Sequence, residues 1–164
     1  VKYFTNELWS KLNSDSQKER DEADSEWDRN YEVYSEIFQS VKIRFSQKFL
    51  KIYLKNHGFH DFHIKNIVLT HKEYGVKNPI SIDIYITNSV DTFKITYKHI
   101  KQFNVNYKEA EGWGDRRGFD DWAYDEFLPI DEQTLSHEIL FASGLTILIC
   151  FKNGNIFVTK TKED

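Results

Sequence analysis

Between Pro79 and Tyr97 apolar and polar residues alternate. Ile80, Ile82, Ile84 and Ile86 are separated by Ser81, Asp83 and Tyr85, and Phe93, Ile95 and Tyr97 by Lys94 and Thr96. Period-two alternation of β-branched and aromatic residues predicts strands with one buried face. The short polar break Asn88-Ser89-Val90-Asp91 predicts an antiparallel hairpin between them. Further alternating runs follow at Phe62–Leu69, Phe103–Tyr107, Leu135–Phe141, Leu145–Phe151 and Ile156–Val158. In the first of these Phe62 and Ile64 share one parity and Ile67 and Leu69 the other, which requires a bulge near Lys65-Asn66. Ala142-Ser143-Gly144 predicts a turn, and Asn153-Gly154 is the strongest hairpin signal in the chain.

The first third follows a different period. Thr5 is placed to cap a short helix carrying Leu8, Trp9 and Leu12, and Ser14 with Gln17 matches a capping box. From Asp15 to Asn56 there is no Gly or Pro. Ala23, Trp27, Tyr31, Tyr34, Phe38, Val41, Phe45, Phe49 and Ile52 recur at three- and four-residue spacings, which places them in a helical stripe about 80° wide. The pattern predicts one long helix, or two nearly collinear ones broken near Ser40. Ile43, Leu50 and Leu54 add a second apolar side, so Val41–Leu54 is expected to be a central helix buried between layers, ended by Gly58. The sum is an α+β fold in a single domain, 1–164. Residues 1–57 are helical, and 59–160 form an antiparallel sheet of about six to eight strands, with a long loop near 108–121.

Composition narrows the class. The chain has 164 residues with 16% aromatics, which suits a well-packed globular protein. No apolar run approaches the roughly 20 residues that cross a bilayer. The opening Val1-Lys2-Tyr3-Phe4 lacks Met and any secretory-signal pattern, and leaves a processed start open. The single cysteine, Cys150, lies in an apolar run and reads as a buried hydrophobe; its isolation fits a reducing cytoplasm.

The net charge of −4 is unevenly spread. Asp15–Glu32 carries eight acids and three bases, and Lys108–Glu132 nine acids and three bases. Lys42–Lys65 carries six bases and one acid, and its apolar content predicts that most of it is buried. An acidic surface argues against nucleic acid and points toward a basic protein partner or toward nothing more than solubility. On the predicted helix, Glu22–Glu26, Asp24–Asp28 and Asp28–Glu32 are like charges four residues apart, each costing a few tenths of a kcal/mol. Either the helix is a solvated face with packing to spare, or a basic partner relieves the repulsion, and on the second reading Asp24 and Asp28 are contact residues. The 108–121 loop offers a second surface: Trp113, Arg116, Arg117, Phe119 and Trp122 are of the types enriched at binding hot spots. The competing reading has Trp113 and Phe119 folding back to pin the loop.

Two constellations have chemistry in them. His57, His60 and His63 with Asp61 have ligand types suited to zinc, but His60 and His63 point to opposite sides once a strand begins. Tyr124-Asp125-Glu126 with His137-Glu138 could assemble an acid and a base. Asp125 and Glu126 alternate faces, so only one of them can meet His137. Simple structural pairing competes with both, and no cofactor is implied.

Lys2-Tyr3-Phe4-Thr5, the helix running into His60-Asp61, and Trp122-x-Tyr124-Asp125-Glu126-Phe127 resemble an uncharacterised family of Bacillus-type Gram-positive bacteria, a domain of unknown function. The resemblance implies a bacterial cytoplasmic protein and supplies no catalytic residues. In general form the chain is also similar to small acidic immunity proteins that neutralise a toxin. The expected function is therefore a non-enzymatic protein-interaction module. The alternatives are a small metal-dependent enzyme at the histidines or a sheet that binds a small molecule on an aromatic face.

Overall fold

Three hydroxyls start the three helices. A computed structural model describes residues 1–108 and 118–161 of the chain. Thr5 Oγ1 accepts from Leu8 N at 3.2 Å and opens α1 (Asn6–Leu12), as the sequence predicts. Ser16, not Ser14, opens α2 (Gln17–Val41), accepting from Glu19 N at 3.4 Å. Ser14 bonds instead to the Glu19 side chain and to Ser16 N, so the box is shifted by two residues. Ser46 Oγ accepts from Phe49 N at 3.2 Å and opens α3 (Gln47–Lys55).

The break between the long helices is not at Ser40. α2 runs through it, tightens into a 3-10 turn at Lys42–Arg44, and stops at Phe45, whose backbone is extended (φ −104°, ψ 157°). Ser40 stays helical because its hydroxyl donates back to Ile37 O. Ser46 offers the stronger cap, and the new helix begins there. The expected Val41–Leu54 helix, buried on two sides, is corrected on the same ground. α3 buries Phe49, Leu50 and Tyr53, while Ile43 and Leu54 are 83% and 58% exposed. The bases of Lys42–Lys65 are outside too: all five lysines are exposed and Arg44 is half-buried, contrary to the sequence expectation. One apolar stripe suffices to dock α3, so the remaining residues face water.

Eight strands follow: β1 (His63–His71), β2 (Ile80–Thr87), β3 (Thr92–Tyr97), β4 (Ile100–Asn106), β5 (Trp122–Pro129), β6 (Thr134–Phe141), β7 (Thr146–Lys152) and β8 (Ile156–Thr161). They are antiparallel and form two four-stranded sheets, ordered β1-β2-β3-β8 and β4-β7-β6-β5. The β2–β3 hairpin pairs Ile84 with Ile95. The β1 bulge falls between Ile64 and Asn66, where the parity change requires it.

The division into two sheets is a property of pairing that alternation does not encode. Residues 92–106 pair along their length with 146–161, as one long antiparallel ribbon. The ribbon folds at Lys98-His99 and Lys152–Asn155, so its halves fall in different sheets. Backbone bonds cross the fold from Lys98 N to Asn155 O (2.9 Å) and from Lys152 N to His99 O (3.3 Å). Asn153-Gly154, read from sequence as a hairpin, is therefore a sheet-switching corner, with Gly154 at φ 73°. A second corner joins Phe62 and His63 to Asp121 and Trp122. The inner faces supply one continuous core, from Ile82, Ile84 and Ile86 across to Ile139, Ile147 and Ile149.

Candidate functional site

A bulge organises the most unusual chemistry in the molecule. The β5–β6 register shifts between Trp122 and Tyr124, after which Asp125 and Phe127 face inward and Tyr124 and Glu126 outward. Phe127 lies opposite His137, and their rings stack with centroids 3.9 Å apart. Of the two carboxylates, Asp125 is the one that meets the imidazole: His137 Nε2 donates to Asp125 Oδ2 at 2.6 Å. From α3, the Tyr53 hydroxyl lies 2.9 and 3.0 Å from the two Asp125 oxygens. From β3, the Tyr97 hydroxyl donates to His137 Nδ1 at 2.7 Å. One chain of hydrogen bonds thus runs Tyr53–Asp125–His137–Tyr97 and touches α3 and both sheets.

The assignment of donors follows from what each group has to give. A carboxylate can only accept, so Nε2–H and the Tyr53 O–H must be the donors. Nδ1 is then left to accept from Tyr97. Burial, and after it the charge of Asp125, pushes the Tyr53 and Tyr97 phenols well above their ordinary value of 10.0. Tyr34 is raised by the same two causes; its hydroxyl accepts from Phe127 N at 2.8 Å and covers the free edge of β5.

Glu126, on the other face, is also fully buried. It accepts from Lys2 N and Tyr3 N at 2.7 Å and from Phe4 N at 2.8 Å, and so clamps the opening segment onto the sheet. Three backbone donors replace the water that this carboxylate loses.

The segment after α3 seals Asp125 from above. His57, Gly58, Phe59 and Asp61 all have positive φ, between 51° and 70°. For the three non-glycine residues this conformation costs about 1–2 kcal/mol each. Gly58 is needed for space as well: a Cβ there would lie 3.2 Å from Tyr53 Oη and 3.3 Å from Asp125 Oδ1. With Tyr97 and His137 at 0% and 1% exposure, no substrate atom reaches the imidazole in this conformation. The cluster ties layers together and has no open face on which to act as an acid or base.

The histidine cluster does not assemble. Among the described residues, no three His, Cys, Asp or Glu side chains are grouped to hold a metal ion. His60 Nδ1 lies 2.7 Å from Ala123 O, with its ring stacked on Tyr124. His63 Nδ1 faces Asp121 at 3.9 Å, His57 is exposed in the left-handed turn, and Asp61 lies 3.6 Å from His60 Nε2. The imidazoles serve separate surroundings because the chain leaves the helix, reverses at Gly58 and only then extends.

The candidate contact residues divide. Trp113, Arg116 and Arg117 lie outside the described residues. Trp122 is fully buried, its ring against Phe59, His137 and Phe141, so it belongs to the core and offers a partner nothing. Phe119 is half-buried and folds back onto Phe141, 4.9 Å between centroids. Asp24 and Asp28 are exposed on α2. Cys150 is buried, and burial followed by the charge of Glu138 raises its thiol pKa. Sequence reasoning missed Tyr53 and Tyr97 as partners of Asp125 and His137. For Tyr97 the signal was present, since a tyrosine on a buried alternating face carries a hydroxyl that needs a partner, whereas Tyr53 lies on neither predicted helical stripe.

Replacing His137 by leucine strips Asp125 of its strongest donor and leaves a buried charge held by one phenol. Urea unfolding should show a loss of about 3–5 kcal/mol, with part of it recovered when Asp125→Leu is added. A second outcome concerns alkali. The folded phenol values of Tyr53 and Tyr97 lie above the unfolded ones. Their stabilisation is therefore complete below about pH 10 and is lost as pH rises through the folded values, because the unfolded chain releases protons the native state keeps. Each phenol should steepen the fall by about 1.4 kcal/mol per pH unit. Urea midpoints between about pH 9 and 11 should thus fall less steeply in the Tyr53→Phe, Tyr97→Phe double variant than in the wild type.

Compared with known proteins, the chain matches no family model, no curated protein and no solved structure, so the residue roles given above rest on geometry alone.

Proposed function

We propose that the protein is a non-enzymatic interaction module that docks a basic protein surface along α2, with a toxin neutralised by complex formation as the kind of partner that suits this form. The observation that carries the reading is how little of α2 is used for folding. Of its 25 residues only Ala23, Tyr34 and Val41 are buried. At 100° per residue Asp21, Asp24, Asp28, Tyr31 and Glu32 share a stripe about 100° wide beside the packed face. All five are exposed.

The acids on this stripe are poorly compensated within the chain. Lys18–Glu22, at 3.7 Å, is the one ion pair on α2 among the described residues. The helix therefore keeps like-charge repulsion that packing does not require. Tyr31, 52% exposed and stacked on Trp27 at 5.1 Å, supplies a rigid aromatic within the acidic stripe. An aromatic anchor ringed by charge is a common form for a protein contact. The bases of the next segment are exposed on other elements, so the negative field is local to α2 rather than spread over the molecule.

Affinity capture from cells that make the protein tests this directly. The wild type should retain one stoichiometric basic protein, and retention should fall as ionic strength rises from about 0.05 to 0.5 M. The Asp24→Lys, Asp28→Lys variant, with unchanged melting temperature, should lose it. No retained partner, or equal retention by the variant, would reject the reading.

A further inference from the structure

The corner where the long ribbon folds makes a cleft. Its walls come from four chain segments: the β1–β2 loop at Lys77 and Asn78, the two strands of the ribbon at His99, Lys101 and Gln102 and at Cys150 and Lys152, and the β5–β6 turn at residues 130–134. The cleft encloses about 1000 Å³, at the upper end of the range for small-molecule sites. A smaller hollow of about 110 Å³ adjoins it, sharing Lys77, Asn78 and His99 and adding Lys72 and Lys98. Five lysines and a histidine thus line two connected hollows, brought together by the fold from positions up to 80 residues apart.

Among the described residues none of the five ammonium groups has a carboxylate partner, and Lys98 Nζ lies over the Phe157 ring, 5.3 Å from its centroid. Among the described residues, the lysines with a carboxylate within 4.0 Å are Lys11, Lys18, Lys94 and Lys160, none of them in this group. Like charges lining a concave surface focus a positive potential, which a multiply charged anion neutralises. Two cleft residues, Asn78 and His99, hold left-handed backbone (φ 54° and 50°) without being glycine. Strain of this kind persists where the surroundings impose it and clusters at binding sites.

We propose that this cleft binds a small molecule carrying two or more phosphate groups. The phosphates would sit among Lys72, Lys77, Lys98, Lys101 and Lys152. The side-chain amides of Gln102 and Gln133 line the cleft for its uncharged part. Size and charge pattern favour a small ligand over a nucleic-acid strand. Asp131 and Glu132 also line the cleft and interrupt the positive track that a long phosphate backbone would follow. Asp131 is held in its own turn: Gln133 N donates to its Oδ1 at 2.7 Å, and that bond holds the carboxyl below its ordinary pKa. It therefore does not reach across to neutralise the lysines. The site is distinct from the α2 stripe and does not depend on the reading given to it.

Titration calorimetry with inorganic pyrophosphate and with ATP tests the proposal, with sulfate at matched ionic strength and a single-stranded oligonucleotide as comparisons. The expected result is saturable binding of both polyphosphates and none of sulfate. The Lys77→Glu, Lys152→Glu variant should weaken it by at least about tenfold with the melting temperature in plain buffer unchanged. Amide NMR shifts induced by pyrophosphate should centre on His99 and Lys101. Three outcomes would overturn it: no binding of either polyphosphate to the wild type, equal binding by the variant, or tighter binding of the oligonucleotide than of ATP.

Discussion

A carboxylate sealed away from water must find donors or lose its charge, and the position of Asp125 imposes that condition on three layers at once. Its donors come from α3 through Tyr53 and from β6 through His137, and His137 in turn takes a bond from Tyr97 on β3. Each partner enforces a distance. α3 cannot slide along the sandwich without withdrawing the Tyr53 hydroxyl. The sheets cannot shift relative to each other without parting Tyr97 from the imidazole. Apolar packing supplies most of the free energy of such a core but tolerates small displacements. A directional network with every member partnered selects one arrangement.

The chain accommodates this cluster at some cost. A turn with left-handed backbone at His57, Gly58, Phe59 and Asp61 sits over it, and a β-bulge at Trp122–Tyr124 turns Asp125 inward. β5 is also the last strand of its sheet, and the protein covers its outer edge piecemeal. Tyr34 accepts from Phe127 N, His60 reaches Ala123 O, and Asp61 and Phe62 pair with Trp122. An edge dressed by side chains and a turn is closed to another strand. On the opposite face Glu126 gathers three consecutive amides of the opening segment, so neighbouring carboxylates anchor opposite sides of one sheet.

Much of this was legible in residue order. Isoleucines at period two gave the β2–β3 hairpin, the parity change at Lys65-Asn66 gave the bulge, and alternation at Asp125-Glu126 gave the rule that one acid meets His137 while the other does not. What was illegible shares a cause. Periodicity reports which face of an element is buried, not which element buries it. The ribbon of residues 92–106 and 146–161 reads as four ordinary strands, and its fold at His99 and Asn153-Gly154 looks like loop and hairpin. The helix break moved from Ser40 to Phe45 because two serines compete as caps, and only the backbone geometry decides between them. The basic cleft has no sequence signature, since its lysines are scattered and meet only at the corner.

The polar cluster with the most acid–base character is enclosed, and the two proposed binding surfaces lie on the outside. The outer surface is divided: an acidic helix with an aromatic in its stripe, and a lysine-lined corner far from it in sequence. The register of α3 and the two sheets depends on the inner network. A double-mutant cycle between Tyr53→Phe and Tyr97→Phe, read by urea unfolding at neutral pH, is the most direct measure of that dependence. If Asp125 and His137 transmit one continuous network, the two losses will couple by about 0.5–3 kcal/mol. Losses that add to within about 0.3 kcal/mol would mean two separate hydrogen bonds and no common tie between the layers.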